Sequence, residues 1–354
     1  MTLCFIDGFE TNDYITKYDE YQNVAYITGR NGQGLYVQNG GSDRLRKRLK
    51  PADEHATLIV GRAFRSSTGT VGDPSAWVSG GAFWGNGMCF MSDEGVTPHI
   101  SINLAGNNGT IQVTRGLQNG TVLGSWAWPS PSYSDWIYLE AKVVLHDSAG
   151  SVEVKMNGTT VINLTGIDTK NGGTKTVFDS VGIGAPQTEN GVHNLIDDLY
   201  ICNGAGSVNN DFLGDVAVET RYPNGNGSSS QFVGSDGNST DNYLLVDEAN
   251  APNLADYVEA TTSGYKDLYA IQDLVRTSGP ILGVQVTDHV KNSDSGAVSA
   301  RTRIKSGATE AAGDTVAMTT TWKTMRDVWE LNPDGSVAWN IAAVNALEAG
   351  VEVV

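Results

Sequence analysis

Residues 135–169 read DWIYLEAKVVLHDSAGSVEVKMNGTTVINLTGIDT. Ile137, Leu139, Ala141, Val143 and Leu145 alternate with Tyr138, Glu140, Lys142 and Val144. Successive side chains of extended backbone point to opposite sides, so this period of two predicts a strand with one buried face. HDSAG makes a turn, and Val152, Val154 and Met156 form the apolar face of the returning strand. Asn157-Gly158 is a strong hairpin signal, because both residues accept positive φ at low cost, and TTVINLT follows as the next strand. Three antiparallel strands in succession are expected.

The same grammar runs upstream and downstream. HATLIVGRAFR (55–65), GAFWGNGMCFMS (81–92), PHISINLAG (98–106), GTIQVTRG (109–116) and GTVLGSWAW (120–128) are strand candidates between Gly/Asn turns, as are FDSVGIGAP (178–186) and NLIDDLYIC (194–202). So many short strands predict a closed double-sheet sandwich or jelly roll. With 354 residues, 42 of them glycine and only 10 proline, the chain suits two all-β domains. After Cys202 the alternation fades, and 222–242 is rich in Gly, Ser and Asn. The boundary is therefore expected at 205/206, with a smaller β-rich domain over 206–354. In it DFLGDVAVETRY (211–222) reads as a first strand, GPILGVQVTDHVK and GAVSARTRIKSG as a strand pair, and DTVAMTTTWK as another strand. The most plausible helix is Ala342 to Glu348, stopped by Gly350.

A net charge of −17 repels a phosphate backbone and argues against nucleic acid as a partner. No run of eighteen apolar residues occurs, so no conventional membrane-spanning helix is expected, and the opening MTLCFIDGFET shows no secretory signal pattern. A soluble product of the cytosol is expected. Cys4, Cys89 and Cys202 are odd in number and far apart, and read as small buried hydrophobes.

WIYLEAKVVLHDSAGSVEVKMNGTTVINLTGIDT followed by FDSVGIG and IDDLYI resembles the closing half of concanavalin A-like, laminin-G-like jelly rolls. LCFIDGFET looks like the opening strand of the versions found in virion proteins of tailed bacteriophages. IDDLYICNGAGSVNNDFLGDVAVETRYPNGNG and the terminal DVWELNPDGSVAWNIAAVNALEAGVEV resemble the same proteins. The resemblance implies a non-enzymatic virion structural protein assembled in the host cytoplasm, with other virion proteins, copies of itself as a homo-oligomer, and host-surface glycans as partners. A tail, baseplate or fibre position is the first expectation, a capsid decoration (cement) protein the alternative, and a glycan hydrolase a distant third.

The candidate sites follow from residue chemistry. Trp84, Trp126 and Trp128 lie in or beside Gly-rich turns, where indole faces could stack on sugars; Trp126 and Trp128, two apart, share one side of a strand. Trp322, Trp329 and Trp339 are expected to pack the second domain or an interface. Asp197 and Asp198 are adjacent, so a regular strand would send them to opposite faces and prevent paired acid–base work across a glycosidic bond. They read as architecture, with Asp197 also a candidate calcium ligand at the rim that laminin-G-like domains use. Asp236 and Asp241, in GSDGNSTDN, form a second oxygen-rich calcium candidate that lacks the later bidentate Glu. RLRKRLK (44–50) is the one basic cluster. Arg44, Arg46, Lys47 and Arg48 are its assembly-contact candidates, against the plainer reading of a solvated strand with acidic neighbours. The five histidines show no metal or catalytic spacing, and no nucleophile elbow, P-loop or dinucleotide fingerprint occurs.

Overall fold

The stretch 135–169 forms a three-stranded antiparallel meander, with Val143 opposite Val152 and Val152 opposite Leu164. A computed structural model describes residues 2–11, 17–22, 24–38, 44–67, 87–105, 109–129, 135–183, 193–249 and 254–354. The chain divides into one unit of Met1–Phe9 with Lys17–Val218 and another of Glu10–Thr16 with Glu219–Val354.

In the first unit the strands are β1 (Leu3–Asp7), β2 (Glu20–Gln22), β3 (Val24–Thr28), β4 (Gln33–Gln38), β5 (Arg44–Arg48), β6 (Thr57–Ser67), β7 (Met88–Ser92) and β8 (Thr97–Ala105). There follow β9 (Thr110–Arg115), β10 (Thr121–Ala127), β11 (Ile137–Val144), β12 (Gly150–Met156), β13 (Thr159–Ile167), β14 (Ser180–Gly182) and β15 (His193–Asn203). One antiparallel sheet has the order β13-β12-β11-β6-β15-β4-β3, with β1 also on β15; the other has β10-β9-β8-β7-β14-β5-β2. The two orders run in step. β11, β6, β15 and β4 succeed one another in the first sheet as β8, β7, β14 and β5 do in the second, because the chain crosses between sheets at β4–β5, β6–β7 and β14–β15. That is jelly-roll connectivity: an all-β, concanavalin-like sandwich. Leu139, Ala141, Val143, Val152, Val154, Ile100, Ile102, Val113 and Val181 are among the core residues closed to solvent. Each large aliphatic side chain removed from water stabilises the fold by roughly 1.5–3 kcal/mol.

The segment after β15 departs from expectation. Residues 211–222 form no strand and lie with the jelly roll as far as Val218, past the boundary expected at 205/206. Their backbone is held by side chains of the first sheet: Gly214 N–H donates to Glu140 Oε1 at 2.8 Å, Leu213 N–H to the Tyr200 hydroxyl at 3.2 Å, and Val218 N–H to Asp198 Oδ1 at 2.7 Å. Apolar–polar alternation in this stretch reflects attachment at single residues, not a ladder.

The second unit contains β16 (Pro223–Ser230), β17 (Val233–Gly234), β18 (Val258–Glu259), β19 (Lys266–Ile271), β20 (Val284–Val290), β21 (Ser299–Ser306), β22 (Thr309–Ala312), β23 (Val316–Ala317) and β24 (Lys323–Trp329), then a short helix α1 (Ile341–Asn345) and β25 (Glu348–Val353). The main sheet has the order β16-β19-β25-β21-β22, with β23 on β21, while β17–β18 and β20–β24 form two-stranded sheets. The expected pairing of β20 with β21 does not occur; β20 takes β24 and β21 takes β25. The strand expected over 314–323 shrinks to β23. The helix is real but ends at Asn345, capped by the Asn340 side chain, and Glu348–Val353 is a central strand. Gly350 is no helix stop. It lies in β25 where a Cβ would meet the Asp267 carbonyl at 2.0 Å, so close strand approach excludes any side chain. Val286, Ile304, Trp339, Leu347 and Ala349 form the core beneath this sheet.

Candidate functional site

At one side of the jelly roll the edge strands β10 and β13 face each other across the gap between the sheets. At Gly124 they come so near that a Cβ would stand 3.0 Å from Leu164. Beyond this point they diverge. Trp126 and Trp128, on the same side as Gly124, are half-buried, while Ser125 and Ala127 between them are exposed. Trp128 N–H extends the ladder to the Gly109 carbonyl at 2.9 Å, which fixes its backbone beyond the end of β10. The facing wall is the β12–β13 hairpin. Val154 opposes Ile162 and Lys155 opposes Thr160, so Val161 is the extra residue of a bulge, and it turns into the gap. The result is an open cleft of about 370 Å³ lined by Trp126, Trp128, Pro129, Met156, Asn157, Thr159 and Val161.

Asn157 takes positive φ at 48° to make the hairpin turn, and its Oδ1 accepts from Tyr138 N–H at 2.8 Å. Its amide NH2 and the exposed Thr159 hydroxyl are thus the hydrogen-bonding groups on a rim whose floor is aromatic and aliphatic. Among the described residues nothing charged lines the cleft. Trp84, the third tryptophan candidate, lies outside the described residues. Trp322 offers no open platform, since it stacks on His289 at 4.8 Å and carries the Lys291 ammonium 4.8 Å from its ring centre. Trp339 is core, donating to the Trp329 carbonyl.

Asp197 and Asp198 do not point to opposite faces. Asp198 adopts φ 51°, and the pairing of β15 with β6 slips between Asp197 and Tyr200. This bulge turns both carboxylates toward the turn joining β3 and β4. Asp197 Oδ2 accepts from Arg30 N–H at 2.6 Å and Asn31 N–H at 3.2 Å, and its Oδ1 accepts from Asp198 N–H at 2.8 Å. Asp198 Oδ2 takes Asn31 Nδ2 at 3.0 Å and the Arg30 guanidinium at 3.3 Å. Burial, with the Asp198 charge added, pushes the Asp197 carboxyl up to about 7 despite these donors. The pair pins a turn and the 211–218 segment, as an architectural reading requires.

Around it lies a covered polar cluster that periodicity did not reveal. Tyr138 and Glu140, on the face expected to be wet, are closed to solvent. Tyr200 donates to Glu140 Oε1 at 2.6 Å, Tyr138 donates to the Asp198 carbonyl at 2.9 Å, and the two rings stack at 6.5 Å. Burial and the Glu140 charge hold the Tyr200 phenol far above its usual range.

Ser92 and His99, seven residues apart, meet at 2.8 Å through Oγ and Nε2, a contact no spacing rule signalled. Their polarity is wrong for a nucleophile. Asn171 N–H donates to His99 Nδ1, so the ring proton sits on Nε2 and is given to Ser92, whose own hydroxyl reaches Asp93 at 3.2 Å. Burial lowers the His99 pKa and keeps the ring neutral. Burial likewise raises the Cys89 thiol to about 11, leaving it unreactive.

The basic cluster is β5 and its flank. Lys47 points inward, its ammonium against the Lys17 carbonyl and 5.1 Å from the Phe5 ring centre. Arg46 pairs with Glu20 at 3.1 Å and Arg48 with Glu94 at 3.0 Å. These charges have partners within their own unit. The Arg44 side chain lies outside the described residues. Asp236 accepts from both the backbone and side chain of Asn238, and Asp241 accepts from Asn226. They close turns. Among the described residues no three Asp, Glu, His or Cys side chains converge on a point where a metal ion could sit.

No protein-family model and no curated protein matches the chain. Solved structures are similar at the level of fold. An endo-β-1,4-glucuronan lyase from the fungus Trichoderma reesei is 12% identical over 57% of this chain and 96% of its own, with a TM-score of 0.36. Domain 4 of the extracellular arabinanase AbnA from Geobacillus stearothermophilus, solved with arabinotriose, is 18% identical over 57% and 83%, at 0.33. The binding domain of Paraclostridial Mosquitocidal Protein 1 is 11% identical over 66% and 60%, at 0.39. Identities so low transfer no residue role, and the site stands on its own geometry.

Proposed function

We propose that this chain is a non-enzymatic structural protein of a tailed-bacteriophage particle whose jelly roll presents a saccharide-binding cleft between β10 and the β12–β13 hairpin. The observation that carries the binding reading is the cleft itself: two half-buried indoles on one strand face a wall bearing an amide and a hydroxyl, in an open gap of ligand size. Pyranose rings have apolar C–H faces ringed by hydroxyls, which suits an aromatic floor with polar lips. Binding is favoured over turnover because Asp197 and Asp198 are committed to backbone and Arg30 donors, and Ser92 receives a proton from His99 instead of giving one up. The virion reading is supported by the resemblance of LCFIDGFET and IDDLYICNG to phage structural proteins.

Isothermal titration against an oligosaccharide library tests the cleft. Trp126→Ala and Trp128→Ala should each weaken any saccharide found by about tenfold, corresponding to ~1.4 kcal/mol, while leaving the melting temperature close to wild type because both rings are only half-buried. Gold-labelled antibody on particles of the source phage tests the location. Label at the tail or its tip agrees with an adhesive role; label over the head favours the capsid-decoration alternative; unlabelled particles contradict both.

A further inference from the structure

We infer that the cleft selects an uncharged saccharide and rejects sugars bearing a carboxylate, an inference that rests on reading the cleft as a saccharide site. A carboxylate moved from water into a half-dry aromatic slot needs a cation or several aimed donors to replace its hydration. The described residues that surround the cleft supply neither. Among the described residues its lining is uncharged, and the five strands around it, β9 to β13, hold three cations in all, Arg115, Lys142 and Lys155. Each is already engaged. Arg115 is paired with Asp168, Lys142 with Asp211 at 3.2 Å, and Lys155 sits 4.1 Å from the centre of the Phe212 ring. The adjoining sequence Ser130–Ser134 is also without charge.

The polar groups present match hydroxyls instead. The Asn157 amide is held by its Oδ1 bond to Tyr138 N–H, so its NH2 is oriented as a donor, and the Thr159 hydroxyl both donates and accepts. Neither can neutralise an anion. At longer range a net charge of −17 opposes the approach of any polyanion, most strongly at low ionic strength. Local lining and overall field therefore select in the same direction.

The test uses oligosaccharides that differ only at C6: gluco-, manno- and galacto-configured tetrasaccharides and their uronate counterparts. Each is titrated against the whole chain, Trp126→Ala, Trp128→Ala and Thr159→Lys. The expected result is at least one neutral member bound at least about tenfold more tightly than its uronate, with that binding weakened about tenfold in each of the two tryptophan variants. Thr159→Lys, on the exposed rim, should narrow that ratio by placing a cation at the cleft. A uronate bound as well as its neutral partner, and weakened in the tryptophan variants, overturns the charge selection but leaves the saccharide site standing. A ratio unmoved by Thr159→Lys also overturns the charge account. Binding indifferent to both tryptophans, or no binding across the panel, removes the saccharide reading and this inference with it.

Discussion

The Asp197 carboxyl loses water to burial and meets a second carboxyl at Asp198, and both changes favour its protonated form. Its 13C carboxyl resonance should titrate near pH 7, and Asp198→Asn, which removes the like charge, should bring the midpoint down; an ordinary midpoint near 4 contradicts the assignment. The sign for stability follows. A folded pKa raised above the unfolded value makes the folded state the better proton acceptor, so this group's contribution is complete below about pH 4. It is then lost as pH rises through about 7. Nothing in the letters DD announced this environment. Two adjacent Asp in a strand pattern predict opposite faces, and only the left-handed conformation at Asp198 brings them to one turn. Tyr200 poses a second test at this scale. Its hydroxyl donates to buried Glu140 and accepts from Leu213 N–H, so Tyr200→Phe removes both bonds and leaves Glu140 Oε1 with Gly214 N–H, at a cost of about 1–3 kcal/mol. Urea denaturation measures the loss, and an unchanged midpoint would mean that the 211–218 segment is not held there.

Elements with strict local alternation were legible in advance. β11, β12 and β13 form where Ile137–Leu145, Val152–Met156 and Asn157-Gly158 placed them, because a hairpin's partner is its sequence neighbour. The second unit was less legible because its pairings are distant. Periodicity identifies β20 and β21 as strands but carries no information about partners, and β20 pairs with β24 across the intervening β21–β23. At the C-terminus, helix-favouring Ala and Leu concealed β25, whose identity depends on Gly350 fitting against Asp267. Gly350→Ala is expected to destabilise the second unit by about 3 kcal/mol or more, as forced overpacking at backbone does, and loss of the slowest-exchanging amides of β19 and β25 would report it. β20 also carries Asp288, whose Oδ2 is buried without a hydrogen-bond partner. Burial, with Asp327 adding its charge, holds its pKa well above the usual carboxylate range. The contribution of that neutral carboxyl is present below its ordinary pKa and is lost as pH rises through the raised one. Asp288→Asn should therefore match wild type in thermal melts at pH 4 and exceed it at pH 8; equal melting at both values would contradict this.

For the whole molecule, the sandwich and the acidic surface were readable from composition and turn spacing, whereas the cleft was only half-readable. Trp126 and Trp128 were identifiable as two rings on one side of a strand, but their facing wall depends on a bulge at Val161 and on how the edge strands diverge. Net charge gives a prediction of its own. With −17 overall and the basic residues 46–48 engaged within the fold, the protein should pass through a heparin column at low salt. Retention would reveal a basic face that the ion pairs do not close.

The most direct measurement follows the eight indole N–H resonances of the 15N-labelled protein while a neutral oligosaccharide from the panel is added. A saccharide in the cleft shifts the signals assigned to Trp126 and Trp128 along a saturable curve and leaves Trp322, Trp329 and Trp339 in place. Shifts confined to the second unit, or no saturable shift with any neutral member, would contradict the claim that the gap between β10 and β13 is a sugar site.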